Sequence, residues 1–155
     1  MGVSWFDAIA YSYWLSLLET VAENLSFDKA AGLYRLPIEI EWEWAAGGGK
    51  REYPWPAKKG PPSEKLANYK LNLGATTPVG HYPEGATPEG LMDMAGNVWE
   101  WMENWCDEDE NEQTRSLRGG SWNDNKHVLR CSGRFRNYPV YRVYIVGFRV
   151  VRSQS

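Results

Sequence analysis

Thiol and imidazole are scarce in this chain: its 155 residues include two cysteines, Cys106 and Cys131, and two histidines, His81 and His127. Two cysteines leave a single disulfide or two reduced thiols open, and the count fixes no redox compartment. No apolar run approaches the ~18 residues that a membrane span requires, and Met1-Gly2-Val3-Ser4 does not open a secretory signal. The chain is therefore expected to be soluble with its compartment open, and display at a cell surface would need a partner or a further segment. A basic surplus is missing too. The formal net charge of −3 argues against nonspecific nucleic-acid binding, which needs a basic footprint to displace counterions. The charge is uneven, however: Cys106 to Glu112 reads CDEDENE, a solvated acidic turn, and no acidic residue follows Asp124. A basic C-terminal third suits acidic ligands or arginines anchored in loops, and both readings stand.

What is present begins with tryptophan. Nine of them is unusual, and eight precede residue 106, where they are expected to pin loops. At 17.8 kDa the chain fits one domain, residues 1–155, long enough to bury a core without disulfide or metal staples. Ser4 followed by Asp7 resembles a capping box, and Ile9, Tyr13, Leu17 and Val21 recur at helical spacing, predicting a helix from about Trp5 to about Asn24. A second helix is predicted from Pro37, tolerated at a first helical position, to the Gly47-Gly48-Gly49 stop. Residues 50–89 are rich in Pro, Gly and Lys without a period and read as long loops. Strand candidates come late, near Val98–Trp101, Leu117–Trp122, Val143–Ile145 and Phe148–Arg152. Helices first and strands afterwards indicate an α+β domain.

The densest information lies in Leu117 to Val150, LRGGSWNDNKHVLRCSGRFRNYPVYRVYIVGFRV. A frame, Arg118-Gly119-Gly120-Ser121-Trp122 and Gly147-Phe148-Arg149, encloses a middle with no clean period. A half-buried strand alternates apolar and polar residues, but Phe135 to Ile145 crowds contact-prone side chains onto consecutive positions. Since successive strand side chains point to opposite faces, some of these must meet solvent or a partner. Tyr and Arg are the types binding surfaces favour. A buried strand with Tyr and Arg at a sheet edge fits the same composition.

Several islands together carry a resemblance: Val3-Ser4-Trp5-Phe6-Asp7-Ala8, Arg35 to Ala46 (RLPIEIEWEWAA), Pro78-Val79-Gly80, Gly90 to Trp101 (GLMDMAGNVWEW), and the RGGSW and GFR frame. These look like the formylglycine-generating-enzyme (sulfatase-modifying factor) domain, a branch of the C-type lectin fold. The resemblance implies two helices around a small twisted antiparallel sheet with long irregular loops, and the family's usual strand region before Val3 has no counterpart here. Within that fold the chain is most similar to the variable proteins diversified by retroelements, whose variable region, here about 118–149, runs from an RGGSW-like to a GFR-like motif. There, adenines of Asn codons are randomised, which yields many residue types but never Lys, Glu, Gln, Met or Trp. None of those five occurs from Val128 to Ser153. Poor strand propensity of Lys, Glu and Gln would leave a similar gap.

On this resemblance the chain is a noncatalytic receptor for a protein or cell-surface ligand. Its binding surface would be formed by Asp124, Asn125, Phe135, Arg136, Asn137, Tyr138, Val140, Tyr141, Val143, Tyr144 and Ile145, while Trp122 and Phe148 pack the core. The family's copper-dependent enzymes carry two cysteines after RGGS, soft ligands for Cu(I); the matching positions are Asp124 and Leu129, and Cys131 alone cannot supply a pair. The related iron-dependent sulfoxide synthases need a His-rich partner domain, and His81 and His127 offer no such site. Trp122-Asn123-Asp124 reproduces the WND triplet of calcium-dependent lectins, without the companion Glu-Pro-Asn or Gln-Pro-Asp loop. No cofactor is required, but a structural calcium on the carboxylates of Asp93 and Glu100 is compatible with the family motif, as is a plain hydrogen-bonded turn.

Overall fold

The computed structural model describes residues 1–23, 33–106 and 113–153, and the turn expected at 107–112 lies outside them. Helix α1 spans Trp5–Ala22 and opens with the expected capping box: the Asp7 N–H donates to Ser4 Oγ at 3.2 Å and the Ser4 N–H to Asp7 Oδ2 at 2.8 Å. The stripe that announced the helix is not the face it buries. The face turned inward is Ser4, Ala8, Ser12, Ser16 and Thr20, whereas Tyr13 and Val21 are 58% and 68% exposed. Burial of hydroxyls requires partners, and the helix supplies them: Ser12, Ser16 and Thr20 donate to the carbonyl four residues earlier, at 2.9, 2.9 and 2.8 Å. Ser16 Oγ also accepts from the N–H of Tyr34, bringing strand β1 (Tyr34–Arg35) against the helix.

Helix α2 spans Glu39–Gly47, two residues later than predicted from Pro37. Ile38 cannot cap it with a side chain, so Asn104 does, its Oδ1 accepting from the Glu39 N–H at 2.9 Å. Gly48 ends it in the left-handed conformation, φ 57°, as the glycine run predicts.

Strands β2 (Trp99–Trp105), β3 (Arg115–Arg118), β4 (Arg134–Asn137) and β5 (Val146–Gly147) form a sheet in the order β4-β3-β2-β5, and β1 pairs separately with β6 (Val151–Arg152). The architecture is the expected α+β, C-type-lectin-like fold, but the main sheet is mixed, because β5 runs parallel to β2. The predicted strand at Leu117–Trp122 stops at Arg118, since Gly119 and Gly120 take φ of 98° and 76°, a region closed to most side chains. Val143–Ile145 is not a strand but leads into β5, and β4 lies within the aperiodic middle as an edge strand, mostly exposed where the strand alternative has it buried.

The sheet separates two cores. Trp99, Trp101 and Leu117 pack with Ala8, Leu36 and Val146 under α1. On the other side Met102 joins Trp42, Ala46, Met94 and Cys131 under α2. That second side also carries charge. Glu39 accepts from Arg118 Nε at 2.7 Å, Ser116 Oγ at 2.8 Å, and Arg134 Nε and Nη2 at 2.8 and 2.6 Å. Burial pushes the Glu39 carboxyl up, but the bonds from Arg134 and Ser116 and the nearby guanidinium charges outweigh it and hold it below its ordinary value. Cys106 and Cys131 are both buried free thiols, so the disulfide alternative is closed. Among the described residues no helix is long and apolar enough to cross a membrane.

Candidate binding face

The segment from Arg118 to Val146 is held by groups that lie mostly outside its variable middle. Gly120 gives way to Leu129 and Val128, whose atoms would lie 2.8 and 3.1 Å from a Cβ there. The backbone beyond β4 is tied from three places: the Trp5 N–H donates to Pro139 O at 3.0 Å, Trp99 N–H to Ile145 O at 2.8 Å, and Gly2 N–H to Val146 O at 2.9 Å. Main-chain bonds of this kind do not depend on which side chains the segment carries.

The expected site residues divide into three groups. Phe135, Arg136, Tyr138, Val140, Tyr141 and Tyr144 are exposed, Phe135 to 54% and Tyr144 to 58%. Phe135 lies over the buried Trp99 indole at 5.5 Å between centroids, Tyr138 against Tyr141 at 5.4 Å, and Tyr144 against half-buried Trp122 at 5.9 Å. Val143 and Ile145 turn inward onto the Trp99–Trp101 core, and Asn137 is half-buried, its Oδ1 accepting from the Tyr138 N–H. Asp124 and Asn125 serve the chain itself. Asp124 Oδ2 accepts from Trp99 Nε1 at 2.8 Å, the Ser121 N–H at 3.0 Å and Ser121 Oγ at 2.5 Å. It is a staple under the face rather than an open ligand. Asn125 is exposed but caps the 3₁₀ turn Lys126–Leu129 through the His127 N–H. Phe148 packs the core as expected.

The arginines settle the charge of this region. Arg130 pairs with Glu52 at 2.7 Å, Arg134 with Glu39 at 2.6 Å, Arg142 with Asp7 at 2.9 Å and Arg149 with Glu100 at 2.6 Å. Of the two readings of the basic C-terminal third, loop anchoring is the one the ion pairs support. The Arg142 guanidinium and the Ser4 cap hold the Asp7 carboxyl down, from an ordinary 3.8 to about 2.

The same pairing opposes the calcium alternative. Glu100 accepts from Arg149 Nε and Nη2 at 2.6 and 2.7 Å and from Trp42 Nε1 at 2.6 Å. A guanidinium thus occupies the position a cation would need. Asp93 Oδ2 accepts from the Gly80 N–H at 2.7 Å, so the hydrogen-bonded turn is what this motif builds. Copper fares no better, because Leu129 is fully buried in an apolar cluster and the Asp124 carboxylate is engaged. Burial pushes the remaining thiol, Cys131, up to about 11, leaving it protonated and a poor ligand at neutral pH.

Sequence reasoning did not anticipate three residues: Glu39 as the hub of the charged core, Asp7 as the anchor of Arg142, and Trp99 as the floor under Phe135. Only Trp99 left a trace, its alternation with Trp101.

A family model described as "Sulfatase-modifying factor enzyme 1-like domain" matches residues 1–154. The chain belongs to this sulfatase-modifying factor family. It is 34% identical to "Serine/threonine-protein kinase Pkn1" of Chlamydia trachomatis, over 99% of this chain and 24% of that protein. It is 33% identical to "Hercynine oxygenase" of Mycobacterium tuberculosis, over 96% of this chain and 35% of that protein. Among solved structures it is similar to "Treponema denticola variable protein 1", with a TM-score of 0.74 and 27% identity over 96% of this chain and 69% of that one. The chain therefore spans about a quarter to a third of these two curated relatives. The family holds named enzymes as well as that variable protein, and membership alone assigns no activity.

Proposed function

We propose that this sulfatase-modifying factor domain is a noncatalytic receptor that binds a protein or cell-surface molecule through Phe135, Arg136, Tyr138, Val140, Tyr141 and Tyr144, on a segment diversified by a retroelement. The observation that carries it is the division of labour across residues 135–146: contact side chains are exposed, while the backbone is bonded to Gly2, Trp5 and Trp99. A scaffold of that kind keeps its shape when its surface residues change. Exposed aromatic patches of this type mark interaction sites, and Tyr and Phe can serve as energetic anchors. The missing Lys, Glu, Gln, Met and Trp from Val128 to Ser153 also fit randomised Asn codons.

Sequencing the gene's locus tests this reading. A near-copy of its 3′ end differing only at adenines, beside a reverse transcriptase gene, is expected, with mismatched codons at the exposed positions. Absence of both would refute diversification and leave a module of fixed specificity. Family membership favours one other reading, a divergent oxidase. It predicts copper binding and thiol-dependent oxygen uptake, and the chemistry of Asp124, Leu129 and Cys131 opposes it. The calcium-dependent lectin reading predicts sugar binding lost to chelator, which the engagement of Asp124 opposes.

A further inference from the structure

The loop that follows α2 builds a second concave site, apart from the binding face. Gly48 takes the left-handed turn that ends the helix, and the next residues fold back on it, the Lys50 and Arg51 N–H groups both donating to Gly47 O, at 3.1 and 2.9 Å. Tyr53-Pro54-Trp55-Pro56 comes next, where each proline restricts the residue before it. The two rings stack 3° from parallel with centroids 5.4 Å apart, and Trp55 is fixed by its Nε1, which donates to Gly60 O at 2.9 Å. Between these aromatics, Pro61 and the Lys50-Arg51 pair lies a cavity of about 580 Å³, within the size range of small-molecule sites. None of the six contact residues of the binding face lines it.

The charge of the cavity is one-sided. Glu52 is the one acid among the described residues that line it, and it is taken by Arg130 at 2.7 Å. Lys50 is exposed and forms no ion pair with another described residue. Arg51 is gripped through Nη2, by Ala46 O at 3.2 Å and Glu89 Oε2 at 3.1 Å, but its Nε is buried without an acceptor. A buried donor left unpaired costs stability, so an acceptor is what this wall is short of. The smaller cavity of about 280 Å³ that Arg51 also borders has Glu43 beside Glu52 in its wall, which favours the larger one for an anion.

We propose that the larger cavity binds a small molecule with a flat ring and one anionic group, carboxylate or phosphate. The ring would lie along Tyr53 and Pro61 over Trp55, and the anion would accept from the Lys50 ammonium and the Arg51 Nε–H. Aromatic faces favour a stacked ring, and charge-assisted bonds from an ammonium and a guanidinium fix an anion. A ring without charge would leave the Arg51 donor unpaired, and an anion without a ring would leave the aromatic wall uncovered.

An amide chemical-shift titration by NMR on the 155-residue protein tests this with two probes, indoleacetate and adenosine monophosphate. Adenosine supplies a ring without charge, and inorganic phosphate a charge without a ring. Shifts concentrated on residues 50–61 and the Trp55 indole N–H are expected from at least one probe, with a dissociation constant on the order of 100 µM, ordinary for ligands of that size. Adenosine and phosphate should bind at least tenfold more weakly, and the probe that binds distinguishes carboxylate from phosphate. Lys50→Gln should weaken binding at least fivefold at unchanged Tm, because Lys50 is exposed and unpaired. Arg51→Lys, which keeps the charge and removes the Nε–H, should also weaken it. Ala57→Trp, which fills the cavity from an exposed position, should abolish it, while Tyr141→Ala on the binding face should leave it unchanged. No shift with either probe up to about 5 mM, far above that constant, overturns the proposal. Adenosine binding as tightly as its monophosphate, or an affinity that neither Lys50→Gln nor Ala57→Trp changes, overturns it as well. The receptor reading stands under every one of these results.

Discussion

Replacing Glu39 by Gln should destabilise the fold more than any single change on the binding face. The carboxylate accepts four hydrogen bonds, from Ser116, Arg118 and Arg134. Glutamine keeps the shape but turns an NH₂ donor toward guanidinium donors and removes the countercharge of Arg118, whose side chain is 4% exposed. Breaking a buried pair by neutralising one partner costs about 3–5 kcal/mol. The lower end applies, because Arg118 keeps Glu43 at 2.7 Å and the Cys131 carbonyl at 3.0 Å. At about 2–4 °C per kcal/mol for a chain of this size, Tm should fall by roughly 6–12 °C. Urea unfolding followed by tryptophan fluorescence, with the slope unchanged, measures the loss directly. Adding Arg118→Met should recover part of it, since much of the cost is the stranded charge. A loss below about 1 kcal/mol for Glu39→Gln, within the range of ordinary surface changes, would refute the assignment of Glu39 as the hub.

Tyr138→Ala, Tyr141→Ala and Phe135→Ala should each change stability by no more than about 0.5–1 kcal/mol, as exposed positions do, while abolishing or weakening ligand capture; thermal denaturation beside a binding assay separates the two. Gly96→Ala should cost more than about 2 kcal/mol, because φ is +77° and a Cβ would lie 2.3 Å from the Asn68 carbonyl oxygen. The Asp7 carboxyl should titrate near 2 by NMR. Because its folded value lies below the ordinary 3.8, its stabilisation is complete above that pH and is lost as pH falls through about 2. Asp7→Asn should flatten that part of the acid profile. Added copper should produce no thiol-dependent oxygen uptake; turnover comparable to an active family member would sink the noncatalytic reading.

Where backbone chemistry decided the outcome, the residues announced it. Ser4 and Asp7 built their capping box, Gly48 ended α2, and the frame motifs at Arg118–Trp122 and Gly147–Arg149 led to the right fold. Side-chain direction was harder to read. Ile9, Tyr13, Leu17 and Val21 keep helical spacing, but so do Ser4, Ala8, Ser12, Ser16 and Thr20, and the closeness of β1 favours the small set inside. No local pattern distinguishes the two stripes, because only the tertiary neighbour chooses between them. The site shows the same limit. Crowding of contact-prone residues at 135–145 announced that several would be exposed, but Asp124 was drawn into Trp99 and Ser121, and Val143 and Ile145 into the core, by partners distant in sequence. Glu100 left a calcium ligand and a hydrogen-bonded turn equally open in the sequence, and Arg149, 49 residues away and bonded to both its oxygens, favours the turn.

Two of the ties on the 135–146 segment, Gly2 to Val146 and Trp5 to Pro139, reach back to the head of α1, more than 130 residues earlier. Within this domain α1 is therefore made before the partners that close it. Contacts so distant in sequence slow folding and leave apolar surface uncovered in the meantime. A chain truncated before Pro139 would hold an unlatched scaffold, sensitive to protease where the intact domain is not.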